Sequence, residues 1–203
     1  MRFHYGPFPE DAEFQPEAQG WRSIKEPGPL LVQVLAIPVA LVVFLSLVTA
    51  ITLLSAGEPG LVIFSGKAIV LLLVIIPIHE LVHLLCQPGF GLSQDSVIGI
   101  WPARLAFYAH YEGAITRERC LVGVVAPFVV LSLFPLLLLA LNHWIPIHMG
   151  VLSSLAQVSW VNGVASSGDL VGMLLIGFQV PPSAFVRNKG WRSYWRREPI
   201  TEH

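Results

Sequence analysis

Ala68-Ile69-Val70-Leu71-Leu72-Leu73-Val74-Ile75-Ile76-Pro77-Ile78-His79-Glu80-Leu81-Val82-His83 decides how this chain has to be read. Up to Ile78 the stretch has no charge and no strongly polar group, and then it places two imidazoles and a carboxylate within five residues. Histidines four apart lie one helical turn apart on the same face, so His79 and His83 can reach a single divalent metal. Glu80 is rotated about 100° from His79, where a carboxylate can take a proton from a water at that metal. The apolar run before the motif puts this chemistry inside a membrane.

Composition agrees. Hydrophobic residues make up 54% of the 203, charged residues only 12%, and the mean hydropathy is +0.67. A soluble domain carries about 25% charged residues. The net charge of −1 gives no reason to expect a nucleic-acid partner. Cys86 and Cys120 do not make a disulfide framework. Residues 1–29 are polar, acidic and proline-bearing, unlike a secretory signal, and read as a mobile or surface-lying tail.

Four apolar stretches follow: Leu30 to Ala56, Leu61 to about Cys86, Leu121 to Leu141, and Gly150 to Val180. Each is long enough to cross a hydrocarbon core of about 30 Å, which takes roughly 20 helical residues. Gly57-Glu58-Pro59-Gly60 separates the first two, and Pro77 is expected to kink the second. The fourth is longer than one straight crossing and should be tilted or broken near Gly163 to Gly168. Those two glycines suggest close packing against the second span. Between the second and third spans, residues 96–111 are rich in β-branched and aromatic residues and predict a short interfacial β-hairpin, with Thr116 as a helix N-cap beyond it. The expected fold is therefore an all-α integral membrane protein of four transmembrane helices plus that hairpin. It divides into a tail at 1–29, a membrane domain at 30–180 and a basic, aromatic tail at 181–203.

Lys and Arg number three in residues 1–29, none at 57–60, three in 92–120, none in 142–148 and five in 181–203. This alternation places both termini in the cytoplasm of a multi-pass protein of the cell (inner) membrane. The last segment, where Arg187, Lys189, Arg192, Arg196 and Arg197 alternate with Trp191, Tyr194 and Trp195, reads as an anchor on the lipid bilayer.

Ionisable groups within a bilayer cost roughly 2.5–3.5 kcal/mol each at a helix centre, a cost that metal coordination can offset. Zn2+ normally takes three protein ligands in a catalytic site, so one beyond His79 and His83 is needed. Asp169 is the acidic residue of the fourth span. His79 lies 18 residues past Leu61 and Asp169 19 past Gly150, so at 1.5 Å per residue both are about 27–29 Å from the outer side. Asp95, Glu112 and His110, in the connection between spans, are alternatives. Asn162 shares a helix face with Asp169 if that helix is continuous. Its amide suits either a substrate carbonyl and developing oxyanion or a helix-packing hydrogen bond. Arg104, Tyr108 and His110 could line a substrate entry, and His143 and His148 read as outer-interface residues.

His79-Glu80-Leu81-Val82-His83 in a span, Tyr111-Glu112-Gly113-Ala114-Ile115-Thr116-Arg117 before a proline-bearing span, and Asn162-Gly163-Val164-Ala165-Ser166-Ser167-Gly168-Asp169-Leu170 together resemble a bacterial and archaeal membrane family described as "putative zincin peptidases". The resemblance covers roughly residues 60–180. More distantly the layout is similar to site-2 proteases, intramembrane zinc enzymes, although the Asn-Pro-Asp-Gly often found around their aspartate is absent here. The resemblance implies zinc held by His79, His83 and Asp169 with Glu80 as general base. The resulting expectation is an intramembrane zinc metalloprotease acting on membrane-protein or peptide substrates. A metal-binding scaffold or regulatory protein without hydrolysis is the alternative.

Overall fold

The computed structural model describes residues 1–55, 66–104 and 106–197. The expected turn Gly57-Glu58-Pro59-Gly60 and the start of the second span at Leu61 lie outside the described residues. In chain order the elements are β1 (Arg2–Tyr5), β2 (Arg22–Ser23), α1 (Pro29–Leu54), α2 (Gly66–Cys86), β3 (Ser96–Trp101), β4 (Ala106–Tyr111), β5 (Ile115–Thr116) and α3 (Arg117–Phe128). A widened π-helical turn, Val129–Leu133, joins α3 to α4 (Phe134–Leu141), followed by α5 (Met149–Ala165), α6 (Ser167–Gln179), β6 (Phe185–Lys189) and β7 (Arg192–Arg196).

Pro29–Leu54 and Arg117–Leu141 are each long and apolar enough to cross a membrane. α5 and α6 make a third such stretch if the bent pair is one span. Their bend of 50° comes at the break expected between Gly163 and Gly168. The apolar part of α2, Val70–Cys86, is shorter. Leucines at both ends of α1 are open, Leu30 at 70% and Leu53 at 77%, which suits lipid rather than water.

α5 is the central helix. Leu152, Ala156 and Trp160 from it pack with Leu47 and Ile51 of α1, Ile75 of α2 and Leu139 of α4. A Cβ at Gly163 would collide with the Leu47 side chain and crowd Val43, so this glycine lets α5 approach α1. That corrects the expected contact with α2. Gly168 has nothing within 4 Å of where a Cβ would stand and serves no such contact.

The fold is mostly helical but not all-α. The predicted hairpin exists, Ser96 opposite Tyr111 through Trp101 opposite Ala106, but β1 adds to it in parallel and gives the order β1-β3-β4. A second sheet runs β2-β7-β6-β5. Among the described residues, neither terminal segment is a free tail. Phe14, Trp21 and Tyr194 bury together, and Phe14 is only 1% exposed. Arg187 lies over Phe14 and Arg196 over Trp21, so two of the basic residues read as a lipid anchor are stacked on the rings of this small core, and Arg22 lies over Trp195 of β7. The segments looked tail-like because their few apolar residues are spread over two ends of the chain and become a core only when β2 pairs with β7.

Connectivity puts both sheets at one end of the bundle, where α1 and α3 begin and α2 and α6 end. Arg119 ties that end together by donating to the Cys86 and Gln87 carbonyls at the close of α2. Thr116 caps α3 as expected, accepting from the Arg119 amide. At the opposite end His148 caps α5 and His143 stacks edge-on to Trp144.

Candidate metal centre

Three elements converge below the sheets. α2 carries His79, Glu80 and His83, α5 carries Asn162, and the first turn of α6, beyond the bend, carries Asp169. His79 Nε2 lies 3.1 Å from His83 Nε2 and 3.0 Å from Asp169 Oδ2, and His83 Nε2 lies 3.4 Å from Asp169 Oδ1. Around a four-coordinate zinc with bonds of about 2.0–2.1 Å, neighbouring ligand atoms stand roughly 3.3–3.4 Å apart. The spacing therefore fits a common centre.

The other ring nitrogens say which atoms face that centre. His83 Nδ1 is 2.8 Å from the Gly123 carbonyl, which can only accept, so Nδ1 carries a proton and Nε2 is the atom left to face the centre. The Asn162 amide nitrogen donates to Pro127 O, Ser132 Oγ and Ser166 Oγ, which turns its Oδ1 toward His79 Nδ1 at 2.9 Å. His79 Nδ1 is thus a donor as well. In the neutral form of both rings, the form that can bind a metal, Nε2 is the lone-pair atom, and two such nitrogens and the Asp169 carboxylate would meet with no donor among them. That donor set suits a cation, and histidine held through its remote N–H by a carbonyl or amide oxygen is the usual support of a metal ligand.

Asn162 is accordingly fully buried, and its amide is spent on His79, Pro127 and two serines. It has no donor left for a substrate carbonyl, which corrects that expectation in favour of the hydrogen-bonding role. Glu80 stands at the other side: its Oε2 accepts the Ala109 amide of β4 at 2.8 Å. Among the described residues, donor atoms of His79, Glu80 and His83 lie within 4.8 Å of one another. The alternative ligands belong to the hairpin, where the Asp95 carbonyl accepts the Glu112 amide. Glu112 pairs with Arg2, and His110 is buried on β4 with Nε2 unpartnered. Burial, reinforced by the positive charge of Arg2 and by His4, holds the His110 imidazole down at about 4.

Two clefts flank Asp169. One of about 330 Å³ is lined by Glu80, His83, Tyr108 and Arg119, the other of about 280 Å³ by His110, Gly168 and Trp191. Phe8 and Ala109 line both. Phe8 stacks on Tyr108 at 4.5 Å and approaches His110 and Trp191, each at 5.6 Å. Tyr108 lines the first of these clefts and His110 the second. Arg104 instead sits over Trp101 near the hairpin tip.

The sequence model of a family described as "Putative zincin peptidase" matches residues 72–185, just over half of the chain, and takes in every residue of this centre. The chain belongs to this family. Membership in a zincin peptidase family makes it a metallopeptidase relative whose His79-Glu80-x-x-His83 motif is in place. Comparisons with curated proteins and with solved structures find no match.

Sequence reading missed two partners of the zincin centre, the Gly123 and Pro127 carbonyls, because a backbone oxygen leaves no mark in residue identity. It also missed Phe8, which reaches the site only through the pairing of β1 with β3. A usable signal for the inner support was there in Ser132 and Asn162, polar residues isolated in apolar spans.

Proposed function

We propose that this zincin peptidase is an intramembrane zinc metalloprotease that hydrolyses peptide bonds of membrane-associated or transmembrane substrates. His79, His83 and Asp169 hold the metal. The observation that carries this reading is the meeting of two imidazole Nε2 atoms and a carboxylate at 3.0–3.4 Å, each ring held through its Nδ1 by a fixed oxygen. When bound, zinc would supply Lewis-acid polarisation of the scissile carbonyl and a water whose pKa lies at about 7.

Glu80 takes the proton of that water and passes it to the leaving amine. Its hydrogen bond to Ala109 holds the carboxylate on the cleft side of α2. β4 is the edge strand of its sheet, and the Ala109 amide points out of that edge, so an unwound substrate segment can pair along it beside Glu80. Unwinding is required because a helical substrate keeps its carbonyls bonded internally. α2 is the fourth crossing in this reading, and the sheets, with the basic residues near them, lie at the cytoplasmic face, from which water reaches the clefts.

The test is purified protein in nanodiscs with a peptide-fused transmembrane segment. Wild type is expected to bind one zinc and cleave, and Glu80→Gln to keep the zinc and lose about 10²–10⁴ in kcat. Wild type without zinc would sink the proposal. Wild type that binds zinc, cleaves no membrane segment and still supports a partner's function would establish the scaffold instead.

A further inference from the structure

We infer that Pro127 is the positioning residue of the metal centre, setting both histidines through two backbone oxygens. This rests on the reading of His79 and His83 as ligands.

Pro127 is fully buried within α3, just before the widened turn Val129–Leu133. In a regular helix the amide of residue 127 would bond the carbonyl of Gly123, four residues earlier. Proline has no amide hydrogen, so that oxygen is left without its helical donor. It is the oxygen that meets His83 Nδ1 at 2.8 Å. Room is not the reason for the approach, since a Cβ on Gly123 would make only an ordinary 3.6 Å contact with the Cys86 Cβ. The released carbonyl is what His83 uses.

The second oxygen is Pro127's own. It accepts Asn162 Nδ2 at 2.9 Å, while Ser132 Oγ, presented by the widened turn, accepts from the same nitrogen at 2.9 Å. Phe134 bonds back to Val129, five residues earlier, so the helix is loosened here and its inner groups can face α5. With the amide nitrogen held, Asn162 Oδ1 is aimed at His79 Nδ1. One residue thus selects the Nδ1–H tautomer of both rings and turns both Nε2 lone pairs inward. Pro135, also buried and in the same span, makes a useful contrast. Among the described residues no hydrogen bond links it, or the Leu131 carbonyl it releases, to either histidine or to Asn162.

The experiment compares Pro127→Ala and Pro135→Ala in the full-length protein by zinc competition, Co2+ absorption and 15N-histidine NMR of the metal-free form. Pro127→Ala restores an amide that competes for the Gly123 carbonyl. It should weaken zinc about 10–100-fold, alter the Co2+ spectrum and reduce the Nδ1–H signal of His83. Pro135→Ala should leave all three at wild type. Should Pro127→Ala fail to fold, Pro127→Gly restores the same amide and is judged by the same readouts. Wild-type affinity and spectra in the Pro127 variant, or an equal loss in both variants, overturns the inference. Absence of zinc binding by wild type, with the His83 signal still lost in Pro127→Ala, would remove the metal reading and leave the positioning of His83 standing.

Discussion

The two walls of the cleft are built differently. On the helical wall, the remote nitrogen of each imidazole is bonded to a group that is itself fixed, from His79 through Asn162 to Pro127 and Ser132, and from His83 to Gly123. The wall made by the sheets has at β4 an edge that no further strand pairs, an unpartnered nitrogen on His110 and an aromatic ring, Phe8, that reaches both clefts without a hydrogen bond of its own. A preorganised wall suits a metal, whose ligands tolerate little misplacement, while an open edge suits an extended chain that arrives with its own donors and acceptors.

The contrast can be broken most severely at Asp169. Asp169→Ala should abolish zinc binding and with it all cleavage, measured by metal content and turnover, whereas retained stoichiometric zinc would move the third ligand elsewhere. Asn162→Ala is next. It leaves His79 Nδ1 unheld in a dry site and should cost about 10–100-fold in zinc affinity and roughly 1–3 kcal/mol of stability, read by competition titration and thermal unfolding.

On the other wall the effects should be smaller and of another kind. His110 is held neutral, with a folded value near 4 against an ordinary 6.5. Between those values the unfolded chain binds more protons than the folded one, so stability falls as pH drops through that window. In wild type, protection of the β3–β4 amides against hydrogen exchange should decline from pH 6.5 to 4, and His110→Phe should flatten that decline. Phe8→Ala should be mildest. Lost ring contacts of about 0.5–1.5 kcal/mol predict a KM change of a few-fold with zinc affinity untouched; a change in zinc affinity would mean the two walls are not separable.

How much was legible follows the same division. His79, Glu80 and His83 could be read because a helix repeats on a fixed period and because polar groups in an apolar run must be compensated. Asp169 could be matched in height by counting residues. The break at Ser166, the hairpin at 96–111 and the cap at Thr116 also follow from local chemistry. The role of Asn162 could not be settled that way, since an amide in an apolar helix serves a substrate or a neighbouring side chain equally well until its partners are known. The terminal segments were misread for a related reason. Phe14, Trp21 and Tyr194 are too sparse along the chain to signal a core, yet they meet when β2 joins β7.

Sequence by itself marked the apolar stretches, the His79-Glu80-x-x-His83 motif and the residue types able to complete a metal site, because all three rest on hydrophobicity and short-range periodicity. Only the tertiary structure decided what surrounds that motif. Bringing α3, α5 and α6 against α2 turns a released carbonyl toward His83, a buried amide toward His79 and a carboxylate toward both, and folding the two ends of the chain together puts β4 and Phe8 at the mouth. The contacts to the two histidines join residues 40 to 90 positions apart, which no local pattern encodes.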